Sequence, residues 1–327
     1  MGNLWKKGAL LLVGFLAGTY AAFAQSFTPG FGKEIFTGYA PLANKPVEVY
    51  YYIPEEGDIE TMPILFAFHG AGRDGKEQAI FWQPFAAEGK FIVLSLTYPN
   101  EYYPIWAYQF GGVTNEVGDV RPEEKWTYQT VEAIFDWFRK ATGNRSRTYD
   151  MWGHSAGGQF VHRFLAAMPK ARVNRAVASN PGSWTFPLAN GLVDASGNVY
   201  GWPFSLKDLP FSSKKAMKCY FGRNMVVHLG TSDTSSTTRS LPREPGSMAQ
   251  GKCRFDRGHA CFEAAKREAE RLGVPFRWTL VEVPGVAHDA RGMILGRSSK
   301  TVTKKTYIPE NALPVGAYEL LYGGDQQ

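Results

Sequence analysis

The sequence predicts an α/β domain: a mostly parallel central sheet with helices on both faces. Two patterns carry that expectation. Short apolar runs of strand length recur along the chain, and stretches of helical periodicity separate them. Neither an internal repeat nor a convincing linker interrupts the alternation, so residues 25–327 are expected to form one domain. A hydrophobic content of 44% with 20% charged residues gives such a chain an ordinary globular core.

The elements follow in order. A first strand runs over Val47–Ile53 and is ended by Pro54. A second, Ile64–Phe68, leads into His69-Gly70-Ala71-Gly72, and a third, Phe91–Thr97, ends at Tyr98-Pro99-Asn100. Trp126–Lys140 has helical spacing, with Val131, Ile134, Phe135 and Phe138 on one face and Gly143 near its end. Thr148–Trp152 is a strand and Gln159–Met168 a helix, and further strands are expected at Val173–Ala178, Met225–Leu229 and Phe276–Val283. Cys261–Leu272 is a charged amphipathic helix closed by Gly273. Residues 186–213 fit the alternation poorly; they read as a lid, a pocket wall or a surface loop. The tail from Ser298 to Gln327, broken by Pro309 and Pro314, has no evident role.

The N-terminus reads separately. Lys6 and Lys7 precede a mostly apolar run from Gly8 to Phe23, and Ala22-Phe23-Ala24 is a small-x-small cleavage signal. Residues 1–24 are therefore expected to be a signal peptide cut before Gln25, placing the protein in the periplasm or outside the cell rather than on a stable membrane anchor. The formal charge of +6 includes the two leader lysines, and no Lys/Arg run is interleaved with aromatics, so nucleic acid is not an expected partner. Of the three cysteines, Cys253 and Cys261 are expected to pair in an oxidising compartment. A zinc site of Cys253, His259 and Cys261 is the alternative, though it lacks an evident fourth ligand. Cys219, in an apolar-leaning run, is expected to be buried.

Chemistry concentrates at Gly153-His154-Ser155-Ala156-Gly157, between a strand and a helix. A serine in such a turn needs neighbours without bulk, and the turn pushes its hydroxyl outward. The helix start behind it offers unpaired N–H groups where an oxyanion can be stabilised. A serine hydroxyl needs a base, and the base needs an acid to orient it. His288 follows the last strand and is the expected base, ahead of His259. Asp233 follows the strand at Met225–Leu229 and is the expected acid, ahead of Asp256 and of Asp289. His69 and His154 flank glycine turns and His228 sits within a strand, so these read as structural. The N–H groups of Ala156 and Ala71 are the expected oxyanion donors. Trp184 and Tyr98 are candidate substrate-binding aromatics, which would give an apolar cleft suited to a hydrophobic or aryl ester.

These residues resemble the α/β-hydrolase superfamily over about 47–293. Within it, His154-Ser155-Ala156-Gly157-Gly158-Gln159-Phe160, Asn180-Pro181-Gly182-Ser183-Trp184 and Val283-Pro284-Gly285-Val286-Ala287-His288-Asp289 are similar to secreted polyhydroxybutyrate-depolymerase-like and feruloyl-esterase-like serine esterases. The resemblance implies an α/β-hydrolase fold, a Ser155–His288–Asp233 triad, an acyl-enzyme intermediate and no cofactor. It implies an ester substrate, small or oligomeric, and leaves the acyl group open. A serine peptidase or amidase of prolyl-oligopeptidase type, and a non-catalytic binding protein on the same scaffold, are the rival readings. Oligomeric state is not legible.

Overall fold

The computed structural model describes residues 27–303 and 305–324; the expected signal peptide lies outside them. An eight-stranded sheet forms the centre. It is built from β1 (Gly30–Phe36), β2 (Val47–Ile53), β3 (Ile64–Phe68), β4 (Ile92–Thr97), β5 (Tyr149–His154), β6 (Val173–Ser179), β9 (Met225–Gly230) and β10 (Thr279–Val283). The strand order is β1-β2-β4-β3-β5-β6-β9-β10. The pairings β1–β2 and β2–β4 are antiparallel, and every pairing from β4 to β10 is parallel. A short hairpin, β7 (Leu192–Val193) with β8 (Val199–Tyr200), stands apart from it.

The pleat of the central strands explains why they read as continuous apolar runs. Ile64, Phe66 and Phe68 of β3 enter one core while Leu65 and Ala67 enter the other, and β4 and β6 divide their side chains the same way. Both faces are covered, so both sets of alternating positions must be apolar. One face packs on α3 (Gln129–Thr142), α4 (Ala156–Ala167), α5 (Lys214–Phe221) and α7 (Arg254–Leu272). The other packs on α1 (Gly75–Gly89), α8 (Ala290–Leu295) and α9 (Ala317–Tyr322). Two single-turn helices, α2 (Ile105–Tyr108) and α6 (Pro245–Met248), lie in loops.

Several elements differ from the sequence reading. The edge strand β1 pairs with β2 although its inward positions include two glycines, a weak pattern. Helix α1 carries Pro84 in its interior, which normally ends a helix; Trp82, Phe85 and Ala86 anchor it to the sheet regardless. The tail is a working part of the second face. Tyr322 of α9 stacks on Phe91 at a centroid distance of 4.0 Å, and the Val315 carbonyl accepts a hydrogen bond from His228. Segment 186–213 forms the β7–β8 hairpin and contributes Pro203 and Phe204 to a cleft wall.

The expected Cys253–Cys261 disulfide is corrected. Helix α7 begins at Arg254, seven residues earlier than its periodicity suggested, with Cys253 as its N-cap. Eight residues along an α-helix separate two Cα atoms by roughly 12 Å, whereas a disulfide needs under about 7 Å. Both thiols are free and buried. The expectation for Cys219 is also reversed, since its side chain lies on the exposed face of α5. Among the described residues no group of His, Cys, Asp or Glu is placed to hold a metal ion, and no helix is long and apolar enough to cross a membrane. The thermal unfolding midpoint is therefore expected to be the same with and without a reducing agent; a drop on reduction would show a covalent link.

Candidate active site

Ser155 sits at the sharp junction of β5 and α4 with φ 58° and ψ −114°, a conformation side chains rarely adopt. The neighbouring glycines make the junction possible. A Cβ on Gly157 would lie 2.1 Å from the Phe68 carbonyl oxygen, and one on Gly153 would lie 2.3 Å from the Gly157 backbone. The strand, the turn and the helix thus approach more closely than any side chain permits.

The loops after β9 and β10 bring the acid and base to this serine. His288 Nε2 lies 3.0 Å from Ser155 Oγ, and His288 Nδ1 lies 2.7 Å from Asp233 Oδ2. A carboxylate can only accept, so it fixes the proton on Nδ1 and leaves Nε2 as acceptor for the serine hydroxyl. The two loops are tied together: Ser232 N–H donates to the Val286 carbonyl, and Gly285 N–H donates to Thr231 Oγ1. Asn180 ties both to β6. Its Nδ2 donates to the Ala287 carbonyl at 3.1 Å and its Oδ1 accepts from Gly230 N–H at 2.8 Å. The alternatives fall away on position. Asp256 is exposed on the first turn of α7, and His259 pairs with Glu282 at 2.9 Å.

The remaining oxygen of Asp233 meets a group that sequence reasoning missed. Arg254 Nη1 approaches Asp233 Oδ1 at 3.4 Å, and Nη2 donates to Ser240 Oγ at 3.0 Å. Both Arg254 and Asp233 are buried. Burial pulls the Arg254 pKa down while the carboxylate opposes that. Arg254 adjoins Cys253 in sequence, and no spacing signal points from there to Asp233.

Ala71 and Ala156 both line the cleft beside Ser155. As the first residue of α4, Ala156 has no intrahelical acceptor for its N–H. The Ala71 loop is held from behind by His69. Burial takes the His69 pKa down to about 4, so the ring is neutral. Its Nε2 accepts from Tyr98 N–H at 3.1 Å, and its Nδ1 then donates to the Gly70 carbonyl at 2.7 Å. Tyr108 Oη donates to the His69 carbonyl and its ring stacks on the imidazole at 4.4 Å. The His154 ring lies tilted against His288 at a centroid distance of 4.5 Å. His228 is a satisfied core group, with its Nε2 on the Val315 carbonyl and Nδ1 on Ser179 Oγ.

The cleft measures about 650 Å³. Its walls correct the expected substrate-binding aromatics. Trp184 is fully buried against His162, and Tyr98 is fully buried with its hydroxyl on Thr130. Both pack in the interior and neither lines the cleft. The cleft is lined instead by Phe110, Phe204, Gln159, Arg239, Arg243 and Glu244, among others, so it is not the purely apolar surface expected.

Comparison with known proteins bears on the fold that carries this arrangement. Residues 108–256 match the family model described as alpha/beta hydrolase fold. The chain is 39% identical to poly(aspartic acid) hydrolase-1 from Sphingomonas sp. KT-1, covering 80% of this chain and 95% of that one, with a TM-score of 0.73. The chain belongs to the α/β-hydrolase family. This α/β hydrolase is also 28% identical to a poly(3-hydroxybutyrate) depolymerase from Bordetella parapertussis, covering 80% and 85% of the two chains at a TM-score of 0.73. No curated protein matches its sequence.

Proposed function

We propose that this α/β hydrolase is an exported serine esterase that cleaves carboxylic esters through an acyl-enzyme. The observation that carries the reading is the continuous hydrogen-bonded chain Ser155–His288–Asp233 at the edge of a cleft large enough for substrate. His288 takes the proton from Ser155 Oγ as the oxygen bonds to the ester carbonyl carbon. The carbonyl oxygen becomes an oxyanion, held by the N–H groups of Ala156 and Ala71. Collapse breaks the bond to the alkoxy oxygen, which leaves with the proton from His288. Water then repeats the sequence on the acyl-enzyme, releasing the acid and restoring the serine hydroxyl. Asp233 holds the imidazole in the required tautomer and stabilises its protonated form. No step calls for a cofactor.

Short-chain p-nitrophenyl esters and a fluorophosphonate titration test this reading. The expected result is multiple turnover together with about one label per chain, located on Ser155. Labelling without ester turnover would move the reading to amide cleavage, which the poly(aspartic acid) hydrolase likeness also supports. Absence of both would favour a binding scaffold. Export rests on the Lys6–Ala24 pattern; the N-terminal residue of the protein recovered outside the cytoplasm should be Gln25.

Arg254 is a positioning residue in this mechanism: its Nη1 meets Asp233 Oδ1 and leaves Oδ2 to His288. Arg254→Met should therefore lower kcat while leaving KM nearly unchanged, and Arg254→Lys should recover part of the loss. An unchanged kcat would assign Arg254 a purely structural part.

A further inference from the structure

Behind the cleft wall lie two buried cations that the proposed chemistry does not use. Arg163, two turns along α4 from Ser155, is fully buried, and all five of its donors meet neutral acceptors. Its Nε donates to Thr185 Oγ1, Nη1 to the Gln109 carbonyl and to Gln159 Oε1, and Nη2 to Ser183 Oγ and to the Pro203 carbonyl. Arg257, also fully buried, donates to the Gly251 and Gly182 carbonyls and to Met248 Sδ. Neither is hydrogen-bonded to a carboxylate. Burial lowers both pKa values only to about 10, so both stay charged at neutral pH. Both arginines tie loops together, and Glu244 on the cleft is the carboxylate influence they share, acting on each at a distance without a hydrogen bond.

Gln159 links Arg163 to the cleft. It is 3% exposed and lies one turn along α4 from Ser155. Its Oε1 accepts from both Arg163 Nη1 at 2.8 Å and Ser183 Oγ at 3.0 Å, which fixes the amide orientation, since a guanidinium only donates. The Nε2 group is left with two N–H donors and no hydrogen-bond acceptor among the described residues, on a residue that lines the cleft with Ser155. Arg239 and Arg243 stand exposed on the same cleft. Among the described lining residues the acid is Glu244, exposed and accepting from Ser247 Oγ at 3.1 Å.

We propose that Gln159, held by Arg163 and flanked on the cleft by Arg239 and Arg243, forms a subsite for a carboxylate on the acyl part of the substrate. The inference rests on the serine-hydrolase reading of Ser155 and names the substrate class of that site. One helical turn, about 5–6 Å, separates Gln159 from the nucleophile. That span suits a carboxylate a few bonds beyond the scissile carbonyl.

Monomethyl glutarate and methyl pentanoate differ only in a terminal carboxylate against a methyl group, and a pH-stat follows both. Wild-type protein should favour the glutarate ester by about tenfold in kcat/KM, the scale of one well-placed polar recognition group at a cleft. Gln159→Glu keeps the side-chain shape, pairs internally with Arg163 and removes both donors. It should bring the ratio to one or below, while fluorophosphonate labelling of Ser155 reports an assembled site. Arg243→Ala, an exposed change that leaves the fold intact, should lower the ratio by about two- to threefold, and added salt should do the same. A wild-type ratio of one or less, or a ratio unchanged in Gln159→Glu, overturns the subsite. Binding of the two esters to Ser155→Ala by ligand-observed NMR needs no turnover. Preferential binding of the glutarate ester supports the subsite even if ester hydrolysis fails, and equal binding overturns it.

Discussion

Replacing His288 with alanine is expected to lower kcat by about 10⁴ to 10⁶, and Ser155→Ala by a similar factor. His288 Nε2 is the atom within hydrogen-bond reach of Ser155 Oγ, and the other nearby imidazole cannot take its place. The His154 ring packs tilted against His288, but burial and the neighbouring charges of His288 and Arg254 hold its pKa well below the ordinary histidine value. It makes a poor base. The double variant should be no worse than either single one, because a nucleophile and its base act as a unit. The measurement is steady-state hydrolysis of a p-nitrophenyl ester, with fluorophosphonate stoichiometry alongside. Near wild-type turnover in His288→Ala would remove it as the base. Some rate above the uncatalysed background should persist in each variant, since the Ala71 and Ala156 donors remain.

Asp233→Asn is expected to fail in two measurable ways. An asparagine amide facing His288 Nδ1 donates where the carboxylate accepted, which moves the ring proton to Nε2. The imidazole then cannot accept from Ser155, and a loss of about 10⁴ in kcat is the expected scale for such a tautomer error. The second failure is in stability. Arg254 is fully buried and Asp233 is its one carboxylate partner among the described residues. Breaking a buried pair by neutralising one member typically costs about 3–5 kcal/mol. Urea unfolding should show that cost, and the combined Asp233→Asn/Arg254→Met variant should recover part of it without recovering activity. Asp256→Asn, exposed on α7, is the control and should leave both quantities unchanged. Full activity in Asp233→Asn would return the acid to the other candidates.

Much of this was legible in sequence because local chemistry forces it. The strands β2 and β3 have the residues their apolar runs indicate, and Gly153 and Gly157 mark a contact that no Cβ can enter. Ser155, Asp233 and His288 could be picked out because each lies just beyond a strand end, where loops carry function. Other positions misled for equally physical reasons. Cys253 and Cys261 suggest a small closed loop until helix α7 is seen to begin at Arg254 and hold them far apart. Trp184 and Tyr98 follow strand ends, yet their rings pack under the loops, and composition does not distinguish a rim aromatic from a buried one.

The sequence by itself determined the α/β alternation, the strained serine turn and the order of the serine, the acid and the base. These depend on periodicity and on glycine sterics, which act over a few residues. Tertiary structure alone decided which charges meet. Arg254 reaches Asp233 across 21 positions, Arg257 clamps Gly182 across 75, and Arg163 gathers Gln109, Ser183 and Pro203 from three loops. Electrostatic partners are set by distance in space and by burial, and neither quantity is written in local sequence spacing.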